Sequence, residues 1–228
     1  TLASLGEYLY HLHGDTLYVD LYHEGVCTFT AGGNGVVLRQ RTRYPWEGNI
    51  RFALETDARE LTLALRIPSW CRHATVRLNG EPAVTAGAEN GYARVRRAWK
   101  KGDTLELTLQ MSVERVHADP RVRADYGKVA VQRGPLVYCL EQVDNGADLY
   151  SVSLPVHAEL KTVNRPDLLG GVVAISGRGK ARRASPPAGA LYGGGSGIDD
   201  VEERQLLFIP YYAWANRTAG EMIVWVRE

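Results

Sequence analysis

The sequence predicts an all-β protein, two tandem antiparallel β-sandwiches of jelly-roll-like kind, preceded by a short helix. Three observations predict it. Strand-length runs with apolar residues at alternate positions recur along the chain, separated by turn signals. After residue 14 nothing carries the 3.6-residue period of a helix. The alternation also pauses once, at HADPRVRADYG, and then resumes.

The helix is expected first. Leu2, Leu5, Leu9 and Leu12 are spaced 3, 4 and 3 apart, which would put four leucines on one helical face. Gly14 follows as a C-terminal stop, because glycine takes the left-handed conformation without steric penalty. About three turns of helix is marginal in water and needs a surface on which to bury its stripe. Residues 1–14 are therefore expected to be the end of the last helix of an upstream helical domain. The alternative is a short helix packed on a sheet edge.

From Thr16 the period changes to 2, with Leu17, Val19 and Leu21 on one face and Tyr18, Asp20 and Tyr22 on the other. The first sandwich, residues 15–118, takes its strands from 16–22, 25–30, 36–43, 49–55, 60–67, 74–78, 91–96 and 104–110. GGNG, ETDARE, LNGEP and KKGD supply the turns. Asn79-Gly80 is the sharpest of these, since both residues tolerate the positive φ of a type I′ turn. A boundary is expected near Ala118. The second sandwich, 119–228, is expected to use 128–132, 135–141, 156–160, 171–176, 205–209 and 221–227. Its Gly-, Pro- and Ser-rich stretch GRGKARRASPPAGALYGGGSGIDD, 177–200, reads as a flexible insertion that buries too little apolar surface to offset its ordering entropy. Gly193-Gly194-Gly195 lacks the following Lys-Ser/Thr and the strand-to-helix context of a phosphate loop.

Composition narrows the function. With 27 basic against 26 acidic residues, the net charge of +1 gives no long-range attraction to nucleic acid or anionic lipid. No apolar run approaches the roughly 18 residues that cross a bilayer, and no signal-peptide pattern is seen. Cys27, Cys71 and Cys139 form no CxxC pair, so neither a zinc knuckle nor a disulfide framework is suggested. Each lies in an apolar setting where free cysteine behaves as a small hydrophobe. A reducing compartment, the cytoplasm, fits this usage better than an oxidising one.

No active site emerges residue by residue. Glu47, Glu55, Asp57, Glu60, Asp103 and Glu106 fall in turns or at outward strand positions, with no pair in an evident shared cleft such as glycoside hydrolysis requires. On a helix His11 and His13 would diverge, making them poor joint ligands. His23, His73, His117 and His157 are isolated, and neither GxSxG nor HExxH occurs. No catalytic, cofactor-binding or metal-binding residue is assigned. Aromatic rings that could stack on sugar are Tyr44, Trp46, Trp70, Trp99, Tyr211, Tyr212, Trp214 and Trp225. Of these Trp225, alternating with Ile223, is expected in the core.

Several segments together resemble a known family: LRIPSWC (65–71), VRLNGEP (76–82), YGKVAVQRGPLVYCLE (126–141) and FIPYYAWANR (208–217). With SLGEYLYHLHGDTLYVDLYHEG (4–25) and YPWEG (44–48), they look like the C-terminal portion of glycoside hydrolase family 127, the β-L-arabinofuranosidase family. The resemblance spans nearly the whole chain in order, least at 177–200. It implies an upstream (α/α)6 catalytic barrel followed by two β-sandwiches. It further implies retaining hydrolysis by a cysteine thiolate with a glutamate acid/base and a zinc ion, the metal keeping sulfur ionised. The nucleophile belongs to a Cys-Cys-Pro-Pro-Asn motif. No Cys-Cys occurs here, so the catalytic role carries over to none of the three cysteines. Zinc is expected in the absent barrel and no cofactor in this chain, which alone is expected to be inactive. Expected partners are that barrel, carbohydrate and a second copy of the chain. Two readings stand beside an accessory role: an autonomous carbohydrate-binding, lectin-like module, and a purely structural or assembly part.

Overall fold

The computed structural model describes residues 2–183 and 200–228. The fold is all-β, and the chain divides into two compact units, residues 1–111 and 112–228.

Unit 1 is a two-sheet sandwich. A 3-10 helix, Leu2–Tyr8, leads into strands β1 (Tyr10–His13), β2 (Thr16–Val19), β3 (Gly25–Ala31), β4 (Asn34–Thr42) and β5 (Asn49–Leu54). There follow β6 (Ala58–Arg66), β7 (Ala74–Leu78), β8 (Val84–Thr85), β9 (Tyr92–Trp99) and β10 (Thr104–Leu109). One sheet runs β1-β2-β6-β9 and the other β3-β4-β5-β10-β7-β8. All neighbours are antiparallel except β2 with β6, where Leu17 lies beside Leu63. Alternation sets which faces meet: Ile50, Phe52 and Leu54 of β5 are buried, as are Leu105, Leu107 and Leu109 of β10. They pack with Leu17, Leu38, Leu61, Leu63, Leu65 and Trp99 in one continuous core. Trp99 also satisfies its indole N–H, which donates to the Leu61 carbonyl at 2.9 Å. At the turn after β7, Asn79 and Gly80 have φ of 48° and 78°.

The expected α-helix over residues 1–13 is not present. Residues 10–13 form β1, paired with Thr16–Val19 from Tyr10↔Val19 to His13↔Thr16, and Gly14 (φ 60°) serves the hairpin turn between them. Hairpin pairing thus overrides a leucine spacing that a helix would also satisfy. Leu5 and Leu12 are exposed rather than buried in a stripe.

Unit 2 begins with β11 (Val113–Val116), then β12 (Lys128–Arg133), β13 (Leu136–Glu141), a one-turn helix α1 (Gln142–Asn145) and β14 (Val152–Ser153). It continues through β15 (Leu160–Arg165), β16 (Val172–Arg183), β17 (Asp200–Pro210), β18 (Met222–Ile223) and β19 (Val226–Arg227). The hydrogen-bonded path runs β12-β19-β14-β16-β17-β13, and the β12–β13 hairpin closes it into a ring. Among the described strands of this unit only β14 with β19 is parallel. Val129, Val131, Tyr138, Leu140, Ile175, Leu206, Phe208 and Val226 fill the inside.

Three expectations are corrected. β11 pairs with β12 from Val113↔Arg133 to Val116↔Ala130, so it belongs to unit 2 and the pause at HADPRVRADYG is a connection within that unit. The strand expected at 156–160 runs instead from Leu160 to Arg165, along β16. Residues 177–183, expected in a flexible insertion, are the second half of β16, paired in unbroken register with 200–206. The rest of that stretch, 184–199, lies outside the described residues.

Candidate functional site

β13 and β17 bury both faces over part of their length. Tyr138, Leu140 and Phe208 point into the ring, while Cys139 and Ile209 point outward into a second apolar cluster with Val172 and Ala213. The sequences LVYCLE and LLFIP read accordingly as near-continuous apolar runs. What covers this outer face is α1 and the segment after β17, and the candidate site lies there.

α1 is pinned by its own last residue. Buried Asn145 donates to the carbonyls of Glu141 (2.9 Å) and Leu207 (3.0 Å) and accepts from the Leu207 N–H at 2.8 Å. Opposite α1, Arg217 reaches back across the segment. Its two Nη atoms donate to the Asp144 carboxylate at 2.8 and 2.5 Å, a bidentate fork, and Nη2 also donates to Glu141. Hydrogen bonds to Asp144, then to Glu141, push the Arg217 guanidinium above its ordinary range, so it stays charged. The other Glu141 oxygen accepts from the Ala215 N–H at 3.0 Å, where Ala215 holds the left-handed conformation (φ 63°). Gln142 and Glu221 exchange two bonds, each of 2.9 Å. Burial, with the Glu141 carboxylate next, pushes the Cys139 thiol up to about 12.

These groups line a cleft of about 420 Å³, bounded by Glu141–Val143 on one side and Trp214, Ala215 and 217–221 on the other. Trp214 is 39% exposed and Tyr211 46%. Their rings stack with centroids 6.1 Å apart and planes 17° from parallel. The cleft can hold a small polar molecule against an aromatic wall. Of the two carboxylates that line it, Glu141 is held by Arg217 and Glu221 accepts from the Leu149 N–H at 2.8 Å.

The residues singled out from sequence fall elsewhere. Glu47 and Glu106 do share a hollow of about 450 Å³ on unit 1, contrary to expectation, since β5 and β10 are neighbours. Each is paired there, with Arg43 at 3.2 Å and Arg51 at 3.6 Å. Glu55, Glu60 and Asp103 pair with Arg39, Arg96 and Arg97, and Asp57 accepts from the Lys101 N–H. His11 and His13, on a strand rather than a helix, lie on one side of β1. His11 contacts Asp20 at 2.5 Å and stacks on Tyr18. Cys71 and Cys139 are buried and Cys27 partly so, all unbridged. Among the described residues no three His, Cys, Asp or Glu side chains gather as metal ligands, and no helix is long and apolar enough to cross a membrane. Trp99 is core, Trp46 is exposed, and Trp225, expected in the core, is only half-buried. Sequence reasoning named Trp214 and Tyr211 but not Glu141, Asp144 and Arg217, which lie 73 and 76 residues apart along the chain.

Two all-β units, one of them with a polar, arginine-clamped cleft, define the class by fold: tandem β-domains. Two family descriptions cover almost all of it. The "Beta-L-arabinofuranosidase, GH127 middle domain" matches residues 16–111, and the "Glycoside hydrolase family 127 C-terminal domain" matches 113–227. The chain belongs to glycoside hydrolase family 127. It is 37% identical to a non-reducing end β-L-arabinofuranosidase of Bifidobacterium longum subsp. longum, covering 100% of this chain and 35% of that protein. The crystal structure of a family 127 β-L-arabinofuranosidase from Geobacillus stearothermophilus T6 superposes with a TM-score of 0.89 at 44% identity, over 100% of this chain and 36% of the other. A second family 127 β-arabinofuranosidase structure gives 0.86 at 34% identity, over 98% and 36%. The chain thus spans about a third of the length of the relatives it matches.

Proposed function

We propose that this chain is the accessory β-region of a β-L-arabinofuranosidase, contributing support rather than chemistry to the retaining hydrolysis of β-L-arabinofuranosyl linkages. One observation carries the reading: middle and C-terminal domains of the family follow one another here from residue 16 to 227, within a third of a relative's length. On this reading the thiolate, the acid/base glutamate and the zinc belong to an upstream barrel. The three cysteines here have the opposite character to a nucleophile, since desolvation raises all of their pKa values.

The supporting role is testable by subtraction. The family-length protein, with residues upstream of Thr1 restored, is expected to hydrolyse p-nitrophenyl β-L-arabinofuranoside. Removing residues 16–228 from it is expected to leave an upstream portion that is insoluble or at least tenfold less active. An upstream portion that keeps full activity and solubility without these units would refute the accessory role.

A further inference from the structure

Trp214 is the part of the unit 2 cleft that the ion cluster leaves unused. Trp214 lines the cleft, its ring stacked on Tyr211, and the Asn216 amide fixes the local backbone by donating to the Ala213 and Trp214 carbonyls at 3.1 and 3.2 Å. Arg217 also lines the cleft. Its Nη atoms are spent on Glu141 and Asp144, but its Nε–H is buried and has no acceptor among the described residues.

We propose that this cleft is a non-hydrolytic subsite for a neutral sugar ring. Four features of the cleft select that chemistry. An indole face matches the flat C–H face of a sugar, as aromatic and apolar surfaces do generally. Gln142 and Thr218 supply polar groups at the wall for ring or hydroxyl oxygens. The volume of about 420 Å³ lies within the range of small-ligand sites. Charge decides against an anion: two carboxylates already outweigh the single guanidinium between them, so a uronate or phosphate would meet net negative charge. The subsite goes beyond the accessory role proposed above and does not depend on it, because no bond is broken here.

Saturation-transfer NMR on the 228-residue chain tests it, with methyl β-L-arabinofuranoside, L-arabinose and methyl α-D-glucopyranoside as neutral probes and D-galacturonate as the anionic one. At least one neutral probe should receive saturation on its ring C–H protons, with a Kd on the order of millimolar, and galacturonate less. Trp214→Ala should weaken that binding about tenfold, Trp214→Phe less, and Trp46→Ala not at all, each variant keeping the parent's circular dichroism. Absence of transfer to every neutral probe, or undiminished transfer in a folded Trp214→Ala chain, would overturn the proposal. No turnover is read, so neither result bears on the accessory role.

Discussion

The two units solve the same problem with different materials. Unit 1 closes two sheets over a single apolar core in which the largest side chains, Trp99 and Phe52, are almost wholly buried. Unit 2 closes its strands into a ring and then buries β13 and β17 on their outer side as well. That second layer is only partly apolar: Asn145, Glu141, Asp144 and Arg217 hold it through hydrogen bonds and charge. An apolar core tolerates small errors of shape, whereas a buried polar network must be complete, since each broken link strands its partners. The unit with the network is also the one with the cleft.

The comparison predicts where each unit is fragile. The largest effect is expected at Trp99, where Trp99→Ala removes the biggest core side chain and the indole N–H bond to the Leu61 carbonyl. A loss of about 3–5 kcal/mol is expected, read as faster amide exchange in β6 and β9 with β16 and β17 unchanged. Acceleration spread equally over both units would break the contrast. Next comes Arg217→Met, which strands two carboxylates and should cost about 3 kcal/mol, seen as faster exchange in α1 and β13. If Arg217→Met were neutral, the network would be ornament and unit 2 would rest on its apolar clusters alone.

A smaller effect depends on pH. The Lys100 N–H, with the Asn79 amide and the Arg97 guanidinium, holds the Asp103 carboxyl below its ordinary 3.8. A carboxyl depressed in the folded state adds stability above its unfolded pKa and loses it as pH falls through the folded one. Unit 1 should therefore weaken with acid below about pH 4, and Asp103→Asn should flatten that limb of the stability curve. The smallest effect is one of rate: a thiol reagent should label half-buried Cys27 first and Cys139 last, read by mass spectrometry, because Cys139 is fully buried and its thiol is pushed up to about 12.

What was legible from sequence was whatever repeats at short range. Alternation located β4, β5, β6, β9 and β10, and Asn79-Gly80 announced its turn, because period and turn chemistry act within a few residues. The N-terminal reading failed because Leu9 and Leu12 fit a helical face while Tyr10 and Leu12 fit a strand, and the partner at Thr16–Val19 decided between them. Residues 177–183 were misread for a different reason. Gly177 and Gly179 look like flexibility, yet added Cβ atoms there would come within 2.7 Å of Leu160 and 2.4 Å of Leu206. These glycines mark close approach of neighbouring side chains inside a long hairpin. The cleft was half legible: FIPYYAWANR advertised its aromatics, but the Arg217 cluster is assembled by chain pairing that no local window contains.

We propose that these two units carry no hydrolytic chemistry of their own. This is tested most directly by incubating the purified 228-residue chain with p-nitrophenyl β-L-arabinofuranoside, zinc and a reductant. Release of p-nitrophenol at the rate of buffer alone is the predicted result; turnover well above that rate, lost with heat denaturation, would contradict the account.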